Sequence, residues 1–267
     1  MGTKDKLGRL SVGKDDVKLM PRWGVRALFE PETKIKKTSS NPGLASLTLR
    51  KKLTDRLRKR GIVDETVLNA ISVVERHQFV DSALASMAYE DLALPIGFKQ
   101  TISQPFVVAR TISIVRELLS KNRSEDELAQ LNILEVGCGS GYQAAVLSEC
   151  FGKVTSVERI RPLYEKALKN CEEYISKQKL KLHFYDGKSG FDDEAPYDAI
   201  FFSASLDKFP DELTEQVKDG GVLLAPTGMN LQYLVAGIKD LSSSESFSVH
   251  RYDMVSYVPL KKGLNRL

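Results

Sequence analysis

Three glycines spaced two apart, Gly137, Gly139 and Gly141, end an apolar run and lead directly into a helix-forming stretch in ILEVGCGSGYQAA. Glycine lets a backbone turn sharply and come close to a ligand, and the first N–H groups of a following helix are free to bind it. The third glycine of this GxGxG comes one residue earlier than in the dinucleotide fingerprint GxGxxG, which weighs against a nicotinamide cofactor. Glu158 stands 21 residues after Gly137 at the end of the next strand-like run. A carboxylate so placed accepts hydrogen bonds from both ribose hydroxyls of a nucleoside. Upstream, in QTISQP, the hydroxyl of Ser103 precedes a helix opened by Pro105. Ser103 can face a substrate, with the N–H groups of that helix end beside it, or simply cap the helix.

These groups need a frame that brings distant segments together, and the pattern of the chain supplies one. The spacing of Leu47, Leu49, Leu53 and Leu57 predicts an amphipathic basic helix ending at Gly61, and Asp64 caps a second through Ile71 and Val74. A third helix starts at Pro105. Strand and helix then alternate: strands over 132–136, 153–158, 181–185, 199–203 and 222–225, helices over 142–150, 162–176 and 211–217. Such alternation predicts a mostly parallel sheet with helices on both faces. Two further strand-like runs, 231–238 and 249–260, have no helix between them and read as an antiparallel edge pair.

The chain has 267 residues, enough for one large domain with an appendage. No stretch approaches the ~18 apolar residues of a membrane span, and the charged N-terminus lacks a signal-peptide core, so the expected location is the cytoplasm. Cys138, Cys150 and Cys171 form no CxxC pair, and His77, His183 and His250 are scattered, so no metal site is expected. The net charge of +4 hides an asymmetry. Residues 1–60 carry 17 Lys and Arg against 6 Asp and Glu, leaving 22 against 29 in the remainder. Residues 1–45, broken by Pro21, Pro31 and Pro42, read as a basic, partly disordered extension in which Trp23 is the one candidate anchor.

The glycine loop followed by Glu158 resembles the cofactor site of class I S-adenosylmethionine methyltransferases. A second stretch is more specific. The run FVDSALASMAYEDLALPIGFKQTISQPFVVAR resembles the N-terminal signature of the protein-L-isoaspartate (D-aspartate) O-methyltransferases, and SVERI, DG at 186, YDAI at 197 and YVPL at 257 follow in that family's order. The resemblance covers residues 46–267. It implies an α/β, doubly wound Rossmann-like sheet with an antiparallel C-terminal edge pair and N-terminal helices, divided into a helical substrate or lid part (46–130) and a cofactor-binding sheet (131–267). It also implies transfer of a methyl group from S-adenosyl-L-methionine to the free carboxylate of L-isoaspartyl, or D-aspartyl, residues in damaged proteins and peptides.

By the same resemblance Ser103 is the catalytic residue. Gln100, Thr101, Ile102, Ser103, Gly137, Gly139, Glu158, Asp186, Gly187 and Gln232 hold the cofactor, and Ser103, Ser203 and Ala204 hold the substrate. Asp186 and Gly187 lie where such folds contact adenine, though this pair also makes ordinary turns. Leu206 and Asp207 occupy positions that the family usually fills with small residues or proline, which bears on substrate breadth. A carboxylate, with an ordinary pKa near ~4, is already ionised at neutral pH, so this chemistry needs neither a general base nor a metal. Two other readings compete with repair. One is an RNA methyltransferase of the same fold with the basic arm on phosphates, betrayed by steep salt dependence. The other is a silent adaptor that binds the cofactor without turnover. Nucleic acid and membrane are not expected partners.

Overall fold

The computed structural model describes residues 47–240 and 246–266, so the expectations for the extension over 1–45, Trp23 included, lie outside the described residues. The chain opens with α1 (Leu47–Lys59), whose basic last turn suits the negative end of the helix dipole, and α2 (Glu65–Val73). As predicted, Asp64 caps α2: its Oδ1 accepts from Val67 N at 3.1 Å. Its Oδ2 accepts from Arg116 Nε at 2.8 Å, tying the cap to a later helix. A short antiparallel hairpin follows, β1 (Leu94–Gly97) and β2 (Gln100–Ile102), which the sequence pattern did not announce. Phe98 and Lys99 form its two-residue turn at φ 55° and 58°, a conformation usually left to Gly or Asn.

α3 (Pro105–Ser120) carries Pro105 in its first turn, as expected, and α4 (Glu125–Leu128) follows. The alternating region comprises β3 (Asn132–Val136), α5 (Tyr142–Cys150), β4 (Lys153–Glu158), α6 (Arg161–Asn170), α7 (Glu172–Ser176), β5 (Leu180–Phe184) and β6 (Tyr197–Phe202). It closes with β7 (Val217–Thr227), β8 (Gln232–Lys239) and β9 (Phe247–Val255). The helix expected over 162–176 is broken at Cys171, whose thiol packs on the glycine loop. The helix expected over 211–217 is a 3-10 turn, Asp211–Gln216. Pairing of Val217 with Tyr197 of β6 draws that residue into β7, which therefore starts earlier than residue 222.

The sheet order is β5-β4-β3-β6-β7-β8-β9, with β3 to β7 mutually parallel and β8 antiparallel to both its neighbours. The chain runs outward from β3 through β4 to β5, then crosses back to β6 on the other side of β3. Ligands of open α/β sheets bind at this reversal, beyond the carboxyl ends of the strands. One apolar cluster runs from Leu53 in α1 through α3 and α5 to Ala236 in β8, so the N-terminal helices and one sheet face share a core. A second, built on Leu134, Ile200, Phe202 and Leu223, fills the other face.

Gly141 sets how closely the glycine loop approaches α6. It sits at φ +94°, and a Cβ there would lie 2.5 Å from Cys171 Sγ. Gly141→Ala combines backbone strain with overpacking and should cost about 1–3 kcal/mol. At about 2–4 °C per kcal/mol for a domain of this size, thermal denaturation followed by circular dichroism should show a clearly lowered Tm. An unchanged Tm would contradict the packing described.

Candidate active site

A pocket opens at the reversal point. Its floor is the end of β3 and the glycine loop (Val136, Gly137, Gly139), with Glu158 at the end of β4, Tyr185 to Gly187 after β5, and Ser203 and Ala204 after β6. One wall is the β1–β2 hairpin, through Ile96, Gln100 and Thr101, and the C-terminal segment Val258 to Lys261 closes the other side. The structure therefore brings together Gln100, Thr101, Gly137, Gly139, Glu158, Asp186, Gly187, Ser203 and Ala204 from the residues singled out by sequence. Sequence reasoning missed Ile96, Tyr185 and the tail. The available signals were the position of Tyr185 just before Asp186 and the place of Ile96 and Val258 to Leu260 inside the LPIG and YVPL stretches of the resemblance.

Glu158 is buried, and both its oxygens are engaged: Oε2 accepts from Gly139 N at 2.9 Å and Oε1 from Ile160 N at 2.8 Å. Burial pushes its carboxyl above the usual range, while those backbone N–H groups pull the other way. Each oxygen of a carboxylate can accept a second hydrogen bond, so the group keeps acceptor capacity for a diol. Gly187 is equally constrained, because a Cβ there would lie 2.5 Å from Val157 and 2.7 Å from Val136 side-chain atoms. Asp186 Oδ2 accepts from Gly263 N at 2.6 Å, and Arg159 Nε donates to Gly263 O at 2.6 Å, so the tail is strapped to the pocket rim.

The remaining predicted residues lie around the pocket and do not line it. Ile102 is buried at the end of β2. Gln232 grips the backbone of Tyr257, its Oε1 accepting from Tyr257 N at 2.6 Å and its Nε2 donating to Tyr257 O at 3.1 Å. The Tyr257 hydroxyl lies near the Ser103 side chain, and burial raises its pKa. The helix N-cap beside Ser103 is Gln104. The first amide of that helix is already taken, since Phe106 N donates to Asp91 Oδ1 at 2.8 Å. That corrects the expectation that the α3 amides stand open to a substrate. Leu206 and Asp207 stay clear of the pocket: the backbone of Leu206 bridges to Thr227 of β7, and Asp207 is exposed.

Under the loop lies a second buried acid, Glu135, whose oxygens accept from Ser156 Oγ at 2.6 Å and Ser203 Oγ at 3.3 Å. Gln143 Nε2 completes the network by donating to Ser203 Oγ at 2.9 Å. Burial also raises the pKa of Cys138, Cys150 and Cys171, so none offers a thiolate nucleophile near neutral pH.

The sequence model of the family described as protein-L-isoaspartate (D-aspartate) O-methyltransferase matches residues 48–265. The chain belongs to this family. A relative from Bordetella avium is 44% identical over 227 residues, 85% of this chain and 82% of its own; one from Bordetella parapertussis is 45% identical, with 85% and 83% covered. Both are named protein-L-isoaspartate O-methyltransferase. A solved protein-L-isoaspartate O-methyltransferase superposes with a TM-score of 0.67 at 27% identity, covering 81% of this chain and 67% of that one. A Plasmodium falciparum structure described as of the same kind, complexed with S-adenosyl-L-homocysteine, also gives 0.67, at 22% identity and 80% and 99% coverage, and supports the fold. The protein-L-isoaspartate methyltransferase family match spans every element that forms the pocket, from β1 to the tail.

Glu135 yields a pH test. Burial pushes it from the ordinary 4.5 up to about 7, against the hydrogen bonds from Ser156 and Ser203. A raised carboxyl pKa means that the folded chain holds the proton to higher pH than the unfolded chain. The contribution is therefore full below about 4.5 and lost as pH rises towards about 7. Relative to Glu135→Gln, the wild type should lose Tm between pH 5 and pH 8. A Tm difference that is equal at both pH values would refute the buried, proton-holding role.

Proposed function

We propose that this pocket transfers the methyl group of S-adenosylmethionine to the free carboxylate of isoaspartyl residues, or of D-aspartyl side chains, in damaged proteins and peptides. The observation that carries this reading is the family match over residues 48–265, within which the glycine loop, Glu158, Gln100 and Thr101 form one pocket. The cofactor, when bound, supplies a methyl group already activated by its sulfonium. The residues fit it. Glu158 has acceptor capacity left for the ribose hydroxyls, Gly137 and Gly139 leave the loop backbone bare of side chains, and Asp186 with Gly187 borders the adenine end. Gln100 and Thr101 close the wall.

Ser103 is the hydroxyl that orients the reacting carboxylate, Ser203 and Ala204 border the acceptor side, and Gln232 acts through Tyr257. No proton has to be removed from a carboxylate at neutral pH, so catalysis is a matter of alignment, which is worth ~7–11 kcal/mol in favourable cases. The methyl ester then closes to a succinimide without further help, because methanol leaves more readily than hydroxide, and hydrolysis returns some normal aspartate. Three free, buried thiols suit a reducing compartment, and the reading places the chain in the cytoplasm.

Incubation with labelled S-adenosylmethionine and paired isoaspartyl and L-aspartyl peptides tests the reaction. A base-labile methyl ester should appear on the isoaspartyl peptide alone, since a shift of one methylene breaks the alignment. Equal label on both sinks the repair reading. Ser103→Ala should lower kcat roughly tenfold or more while S-adenosylhomocysteine affinity stays within about threefold. Unchanged kcat would remove Ser103 from the chemistry.

A further inference from the structure

Arg76 is the buried charge that the reaction leaves unexplained. It lies in the 3-10 turn Arg76–Phe79 after α2, with 0% of its surface exposed. Among the described residues no carboxylate lies within ion-pairing distance of it, and its Nε and Nη1 have no hydrogen-bond partner. Burying an ion without a counter-ion is costly, and an apolar side chain of similar volume would serve packing better. What the guanidinium does make is specific. Nη2 donates to the carbonyl of Ser103 at 2.8 Å and to that of Leu92 at 3.2 Å. Its carbon stands 4.6 Å from the ring centroid of Tyr142, the first residue of α5, within cation–π range.

One side chain therefore joins the backbone of Ser103 to the helix that grows out of the glycine loop. Those are the two parts whose separation sets the line from acceptor oxygen to methyl group. We propose that Arg76 is a positioning residue for methyl transfer, fixing the Ser103 segment against the cofactor loop. The inference rests on the reading of Ser103 as the orienting hydroxyl. A neutral residue of equal bulk keeps the core but leaves the Ser103 carbonyl without a donor, so the Ser103 segment loosens in place. Arg76 is not among the residues that line the pocket, so affinity for the cofactor stays as it was.

The test uses the full chain with S-adenosylmethionine and an isoaspartyl peptide. It compares wild type, Arg76→Met, Arg76→Lys, Ser103→Ala and the Arg76→Met/Ser103→Ala double variant, with S-adenosylhomocysteine affinity from calorimetry and folding from circular dichroism. Arg76→Met should lower kcat roughly tenfold with cofactor affinity within about threefold, and Arg76→Lys, which keeps a cationic donor, should recover part of the loss. The double variant should lose no more than Ser103→Ala alone, because residues acting through one group are not additive. Unchanged kcat in Arg76→Met beside an impaired Ser103→Ala overturns the role of Arg76 and leaves Ser103 standing. An unimpaired Ser103→Ala removes the Ser103 reading and this one with it. Multiplying losses in the double variant, or equal loss of kcat and cofactor affinity, makes Arg76 merely structural. Should Arg76→Met not fold, Arg76→Lys alone and combined with Ser103→Ala is judged by the same criteria; failure of both to fold overturns the proposal.

Discussion

The pocket depends on one buried carboxylate. Glu158 reaches from the end of β4 to the amide of Gly139 in the loop after β3 and to the amide of Ile160 in its own following turn. One carboxylate bond thus joins the carboxyl ends of two neighbouring strands, while the other fixes the turn that follows β4. The tail fastens onto the same turn. Asn265 N donates to Arg159 O and Asn265 O accepts from Arg161 N, both at 2.8 Å, while Gly263 links Arg159 to Asp186. Remove the carboxylate and Gly139 loses its side-chain anchor, leaving the loop held to β4 by Gly137 N and Cys138 N on the Val157 carbonyl, and the pocket loses its acceptor oxygens.

The surroundings of Ser103, beside the pocket, are assembled from segments far apart in the chain. Asp91 caps α3 through Phe106 and also pairs with Arg60 of the turn after α1. Arg76 holds the Ser103 carbonyl, Tyr257 meets the Ser103 hydroxyl, and Gln232 grips Tyr257 on both sides. For the proposed transfer to a carboxylate that is already ionised, such restraint is what would hold the reacting atoms in line. Arg116, nearly buried, does similar work further from the pocket by joining the Asp64 cap, the Cys150 carbonyl and Glu125.

What could be read from sequence was local. The GxGxG loop, Glu158, the Asp64 cap and the Pro105 start each rest on residues within one turn or strand, and each forms as its chemistry dictates. The β1–β2 hairpin was hidden because its turn, Phe98-Lys99, lacks the Asn-Gly or Asp-Gly signal and takes a conformation those residues rarely adopt. Gln232 drew attention as a cofactor-side residue, yet its amide is spent on a backbone 25 positions away, a pairing that no periodicity reveals. The Asp91 cap and the Arg76 contacts are equally long-range. The break at Cys171 follows from packing on Gly141, again a tertiary effect.

The central claim is that Glu158 both anchors the loop and receives the ribose hydroxyls, and calorimetric titration with S-adenosylhomocysteine tests it most directly. The account predicts that Glu158→Ala, still folded by circular dichroism, binds more weakly by ~1.5–3 kcal/mol, the scale of hydrogen bonds to a charged group. An unchanged affinity in the folded variant would contradict the account and place the nucleoside elsewhere.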